Sequence, residues 1–211
     1  MCTKINIAVL ALLLFIINSG FSQSFKGDTY SISEVVDERY GIVMYQRLNS
    51  RLNGDSVRKC DGYACKGWAK DYYETGSILH EGFYVDGQLQ SYRNYFATGQ
   101  IERQFKIIDD IKSVMTVYYL GGKVKSKVTY SKKFVRKWED FFSNGLPEFY
   151  EEYNKKIDFL IEQRYYYNNG QLKSKLVLDS KKKLLYTKEI YFENGKLKAK
   201  GVIAYSMDIL D

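Results

Sequence analysis

In 211 residues the chain has one histidine, His80. Any base, nucleophile partner or metal ligand built on imidazole must come from that position, so His-rich metal chemistry is excluded. His80 stands four residues after Gly76 in a run of strand-forming residues, where it reads as a solvated or partly buried strand residue. Carboxylates occur in adjacent pairs, Asp109-Asp110 and Glu151-Glu152. Neighbours on a strand point to opposite faces, so a shared-proton pair is not expected, and Asp109-Asp110 fits a turn better. No Gly-x-Ser-x-Gly elbow is present to expose a serine, and no glycine-rich loop joins a strand to a helix to cradle a phosphate. The pattern points away from catalysis and calls for no cofactor.

Cys60 and Cys65 are the two cysteines beyond the extreme N-terminus. Four residues separate them, Gly62 among them, so a short disulfide loop and two free thiols are both open. A structural metal would need four ligands, and neither a histidine nor a second cysteine pair stands nearby.

The remaining chemistry is aromatic and cationic. Twenty Tyr, 12 Phe and 2 Trp stand beside 32 Lys and Arg against 25 Asp and Glu. With 45% hydrophobic residues the chain can bury a core and is not disordered. A single Pro, where average usage of ~5% would give about ten, excludes Pro-rich linkers.

These residues recur with a period. Turn-type glycines fall at Gly76, Gly99, Gly122, Gly145, Gly170 and Gly195, spaced by 23, 23, 23, 25 and 25. Four residues before them stand Tyr72, Tyr95, Tyr118, Phe141, Tyr166 and Tyr191, and three before them Tyr73, Phe96, Tyr119, Phe142, Tyr167 and Phe192. Two residues after them come Ile78, Ile101, Val124, Pro147, Leu172 and Leu197. A second turn signal follows in the first five units at Asp86-Gly87, Asp109-Asp110, Lys132-Lys133, Lys155-Lys156 and Ser180-Lys181. Closely spaced turns joined by Tyr, Val, Ile and Phe predict an all-β antiparallel meander of about twelve strands. Asn144-Gly145, Asn169-Gly170 and Asn194-Gly195 are dipeptides suited to a type I′ hairpin turn.

Two-residue turns would set the position three before each glycine opposite the position two after it, on a core face. The other face would then carry Tyr95, Tyr118, Tyr166 and Tyr191 beside Lys125, Lys127, Lys173, Lys175, Lys198 and Lys200, interrupted at Glu148. Cross-strand aromatic ladders stabilise a single-layer sheet, and lysines on an exposed strand discourage edge pairing. The same rings and charges also form a candidate binding platform.

The segments "YYETGSI", "YFATGQI", "YYNNGQL" and "YFENGKL" resemble the MORN-repeat variant family over residues ~68 to 203. Gly121-Gly122 departs from the pattern, and Leu146-Pro147 reads as a one-residue slip. The resemblance implies a curved, elongated sheet of stacked hairpins, about six units, that binds other molecules without chemistry of its own. Some bacterial members are labelled antitoxins, which makes an antitoxin-like binding protein one alternative.

Residues 23–67 are less regular. Ile42 to Leu52 could be a strand of a degenerate first repeat, with Ser31 to Arg39 forming a helical turn or two. Before them, Lys4 precedes the apolar run Ile7 to Ile17, with Gly20 and Ser22 in the small positions of a cleavage site. Residues 1–22 read as a signal peptide cleaved near Ser22, leaving residues 68–211 as the repeat sheet of an exported protein, periplasmic, cell-surface or secreted. Cleavage removes Lys4, leaving 31 basic against 25 acidic residues, or +6. The expected function is a non-enzymatic scaffold that binds another protein through its sheet. The alternative is a module for glycan or an anionic membrane surface, and nucleic acid is not expected as a partner.

Overall fold

A computed structural model describes residues 25–154, 159–179 and 185–204. The leader expected over 1–22 and the turn signals at Lys155-Lys156 and Ser180-Lys181 lie outside the described residues.

The described chain opens with β1 (Phe25–Tyr30), a single helical turn α1 (Ile32–Val35), and a short ladder of β2 (Val36–Asp37) with β3 (Gly41–Ile42). The Ile42 to Leu52 stretch is not a strand: two 3-10 turns, Gln46–Leu48 and Ser50–Leu52, occupy it. A second ladder joins β4 (Lys59–Cys60) to β5 (Tyr63–Ala64). From there the described chain is strands and turns: β6 (Gly67–Tyr73), β7 (Ile78–Val85), β8 (Gln88–Tyr95), β9 (Ile101–Ile107), β10 (Lys112–Tyr118) and β11 (Val124–Ser131). They continue as β12 (Phe134–Phe141), β13 (Pro147–Tyr153), β14 (Leu160–Tyr166), β15 (Leu172–Leu178), β16 (Leu185–Tyr191) and β17 (Leu197–Ala204). One 13-stranded sheet holds β6 to β17 in chain order, with β1 added parallel to β6. Its two edges, β1 and β17, do not meet, so the sheet is an open meander and not a barrel.

The repeating turn differs from the expected one. At the first, the Gly76 N–H donates to Tyr73 O at 2.8 Å and the Tyr73 N–H to Ser77 O at 2.9 Å, closing a loop over residues 74–76. The same pair of bonds recurs at all six glycines, whose φ values run from 81° to 92°. A three-residue loop of this kind needs its left-handed residue at the third position only, which is why glycine recurs there. The preceding asparagines serve another purpose: Oδ1 of Asn144, Asn169 and Asn194 accepts the N–H of Leu146, Gln171 and Lys196 at 2.9, 2.9 and 3.0 Å. Type I′ geometry occurs instead at Asp86-Gly87, where both residues have positive φ, 48° and 77°.

Each of these hairpins then carries a bulge. Tyr72 pairs with Ile78 and Asp71 with His80, so Leu79 is the extra residue, and the same shift recurs in the other five. The first aromatic column therefore lies opposite the aliphatic column, not the second one. Pro147 keeps the common register, opposite Phe141, so the fourth unit has no slip. As the first residue of β13 it also sits where a missing N–H is tolerated.

The bulge decides what each face carries. Tyr73, Asp71, His80, Gly82 and Tyr84 fall on one face of the first hairpin, all buried, and Tyr72, Ile78, Glu81 and Phe83 on the other. On the buried face the second aromatic column ties neighbouring units together in pairs. The hydroxyls of Tyr73, Tyr119 and Tyr167 donate to the carbonyls of Tyr95, Phe141 and Tyr191, at 2.7, 2.8 and 3.0 Å. Phe96, Phe142 and Phe192 fill the intervening slots, so the structural repeat is a pair of units.

Tyr119→Phe is expected to lower the unfolding free energy by about 1 kcal/mol, the worth of one such hydrogen bond. Urea denaturation measures it, and an unchanged midpoint would show that the hydroxyl tie contributes nothing.

Candidate functional site

One transverse row on the buried face organises the molecule. It runs from strand to strand through paired residues: Asp71, His80, Asn94 and Arg103 on β6 to β9. All four are polar and all are buried, His80 and Asp71 completely. Such a row is stable only when its groups find partners, and residues 31–66 supply them by lying over this half of the sheet as a cap.

Asp71 receives the Arg58 guanidinium through two nitrogens at 2.8 and 2.5 Å, the Tyr45 hydroxyl at 2.7 Å and the Asp28 N–H at 2.9 Å. Burial works against the Arg58 charge, and Asp71 together with Tyr84 more than offsets it. The Tyr45 hydroxyl is pushed far above its ordinary range by burial first and the Asp71 charge second. Its ring stacks on His80, centroids 3.6 Å apart and planes within 9°. Asn94 donates to Ile42 O at 3.4 Å, and Arg103 to Tyr40 O at 2.8 Å. Each row residue thus holds one part of the cap.

His80 lies on a strand, as expected, but is fully enclosed rather than solvated or partly buried. Its Nδ1 lies 2.8 Å from Asn94 Oδ1 and its Nε2 2.9 Å from the Tyr84 hydroxyl. A proton on Nδ1, with Tyr84 donating to Nε2, satisfies both contacts with a neutral ring. Burial lowers its pKa from 6.5 to about 4, against the opposing pull of the Asn94 bond. Both nitrogens are engaged, which leaves the ring no lone pair for a substrate.

The cap has its own clamp. Cys60 and Cys65 are joined by a disulfide, Cα atoms 4.9 Å apart, across the β4–β5 hairpin. The Arg58 N–H donates to Gly87 O and the Gly87 N–H to Cys65 O, both at 2.9 Å. A side chain at Gly87 would strike the Arg58 carbonyl, 2.8 Å from the Cβ position, so glycine is required for this approach as well as for its φ.

Beyond β9 the row continues as Val117, Ser126, Asp140, Phe149 and Tyr165. All five line a groove of about 740 Å³ whose near wall is the cap, at Arg39, Tyr40, Val43 and Gln46. Trp138 and Tyr165 are 40% and 42% exposed, whereas Tyr92 and Phe105 under the cap are buried. Trp138 packs edge-on against Phe149 at 6.3 Å, and Phe149 against Tyr165 at 5.0 Å.

The ten Tyr and Lys residues expected on one platform are divided by the bulge. Lys125, Lys173 and Lys198 lie on the cap side, with Nζ over the rings of Tyr119, Tyr167 and Phe192 at 5.9, 5.8 and 5.5 Å. Lys127, Lys175 and Lys200 share the opposite face with Tyr95, Tyr118, Tyr166 and Tyr191. There they belong to a second transverse row with Lys70, Glu81, Arg93, Glu139, Arg164 and Glu189 among its members. Lys70 meets Glu81 at 3.1 Å and Lys200 meets Glu189 at 2.8 Å. The hydroxyls of Tyr95 and Tyr191 donate to Glu81 and Glu189 at 3.3 and 2.6 Å.

The residues of the groove were not singled out by their types alone. A signal was present: Asp140 stands five residues before its glycine, as Asp71 does, and only these two units have Asp there.

An open sheet of bulged hairpins, capped over part of one face by an irregular segment of the same chain, defines a β-hairpin repeat protein. The family model for the MORN repeat variant matches residues 114–132, 161–178 and 187–202, and the hairpins at these segments are MORN repeats. No curated protein matches this sequence. Among solved structures the chain is similar to S. aureus TarM, a mutant in complex with fondaparinux, alpha-GlcNAc-glycerol and UDP, at 18% identity and a TM-score of 0.31 over 44% of this chain and 18% of that one. It is also similar to the pneumococcal O-GlcNAc transferase GtfA in complex with UDP and GlcNAc, at 15% identity and a TM-score of 0.25 over 46% and 17%. This chain spans less than a fifth of either.

Stability should fall as pH drops from about 6.5 toward 4, because the unfolded histidine takes up a proton that buried His80 refuses. The expected loss from this residue is roughly 3 kcal/mol by pH 4 and nothing above pH 7. His80→Gln removes that increment, so the variant's acid profile should be shallower. Parallel profiles of the two proteins in urea titrations from pH 4 to 7 would contradict the assignment.

Proposed function

We propose that this protein is a non-catalytic, exported scaffold that binds another protein through the uncovered continuation of its capped sheet face. One observation carries the reading: the row that anchors the cap runs on, without a break in register, along the groove floor. The sheet already holds one irregular polypeptide there, its own residues 31–66. A partner segment laid beside the cap would meet Trp138, Phe149 and Tyr165, aromatic anchors of the kind that dominate binding energy at protein interfaces. The leader at residues 1–22 supports export, and a disulfide between Cys60 and Cys65 suits an oxidising compartment.

Capture by residues 23–211 from an envelope extract tests the reading. One polypeptide should remain bound beyond roughly 0.5 M salt, where screening acts over only a few Å. Its retention should be lost in the Trp138→Ser, Tyr165→Ser double variant and kept when Lys173, Lys175, Lys198 and Lys200 become Ser. The opposite pattern, loss with the lysines alone, would favour an anionic surface or glycan and overturn the groove reading.

A further inference from the structure

Asp140 lies three repeats after Asp71, at the same position before its turn glycine, on the same transverse row and on the same face. The chain itself shows what such a carboxylate binds there. Asp71 holds the forked guanidinium of Arg58, with the Tyr45 hydroxyl donating to the same carboxylate and the Tyr84 ring 5.3 Å from the guanidinium carbon.

Around Asp140 the same elements are assembled in the open groove. The Trp138 Nε1–H donates to Asp140 Oδ1 at 2.7 Å, which fixes the indole beside the carboxylate. Phe149 and Tyr165 continue the aromatic wall, and Glu148, the bulge residue of the same hairpin, adds a second carboxylate to the lining. Among the described residues neither Asp140 nor Glu148 takes part in an ion pair. The cations lining the groove have other contacts. Arg103 is held by Glu102 and the Tyr40 carbonyl, Lys125 lies over Tyr119, and Arg39 lies over Tyr40.

We propose that Trp138, Asp140, Glu148 and Tyr165 form a binding site for an arginine side chain presented by a peptide segment of the partner protein, the external counterpart of Arg58. The proposal rests on the protein-binding reading above. A guanidinium suits the site because its planar fork bonds carboxylate oxygens in parallel while its face stacks on aromatic rings. An ammonium has the charge but neither the fork nor the plane, so lysine should bind less well.

The test uses the protein labelled at its indole nitrogens, whose two tryptophans, Trp68 and Trp138, give separate N–H signals, assigned with Trp138→Phe. The probes are the capped dipeptides acetyl-Arg-Tyr-amide, acetyl-Lys-Tyr-amide and acetyl-Gln-Tyr-amide. The Trp138 signal should move saturably with the arginine peptide, more weakly with lysine and not saturably with glutamine, while Trp68 stays in place. Asp140→Asn should weaken arginine binding about tenfold, as expected for losing one charged partner. Glu148→Gln should weaken it by a smaller factor, and it tests the site independently if Asp140→Asn disturbs the fold, which the Trp68 signal reports. Equal movement with the glutamine peptide, or no saturable movement with any of the three, overturns the proposal. A polypeptide captured through the groove together with a silent arginine titration would discard the arginine site and leave the scaffold reading standing.

Discussion

The buried carboxylate of Asp71 is the interaction on which the capped half of the molecule depends. An ionised group removed from water must be fully partnered or it destabilises the fold by several kcal/mol. Here the partners come from three separate stretches of chain: Arg58, Tyr45 and the Asp28 backbone. They fix the β4–β5 hairpin, the turn region around residue 45 and the edge strand β1 in one step. His80 then finds its stacking partner, and Asn94 and Arg103 their carbonyls, because the cap has been placed. Conversely, without the cap four polar residues would face water on a surface shaped to exclude it.

A single-layer sheet of this length has two faces and, among the described residues, one cap. Over β6 to β9 the covered face is a core in the ordinary sense, with Leu79, Tyr84, Leu89, Tyr92 and Phe105 fully enclosed. Past the cap the same face has no second layer among the described residues, and Tyr186 is the lone fully buried side chain beyond β11. The reverse face follows another principle throughout. It is held by cross-strand ion pairs and by tyrosines that donate to carboxylates, interactions individually modest and partly exposed. The molecule is therefore asymmetric twice over, between its faces and between its halves, and the groove lies where the two asymmetries meet.

The bulge after every turn glycine is what separates these environments. Alternation along a strand has a period of two, so one inserted residue moves every later side chain to the other face. Lys125, Lys173 and Lys198 lie over the rings of the second aromatic column for this reason, and Lys127, Lys175 and Lys200 enter the ion ladder on the far side. Residues that look like one basic and aromatic track in the sequence are parts of two surfaces with different chemistry.

The sequence by itself determined the hairpin meander, the position of its turns and the membership of each column. Those features are local: a left-handed glycine, a strand of alternating residues and a repeat length are all written within about 25 residues. The family resemblance was legible for the same reason. Tertiary structure alone decided which face each column joins, because the loop type that sets register depends on backbone angles that Asn-Gly permits in more than one form. It alone decided that residues 31–66 form a cap and that His80 is buried beneath Tyr45. Those contacts join residues 13 to 63 positions apart, as in Arg58 with Asp71 and Arg103 with Tyr40, and leave no periodic trace. The open groove follows from the cap's extent: residues 31–66 lie over the row on β6 to β9, and the row of paired positions continues beyond them.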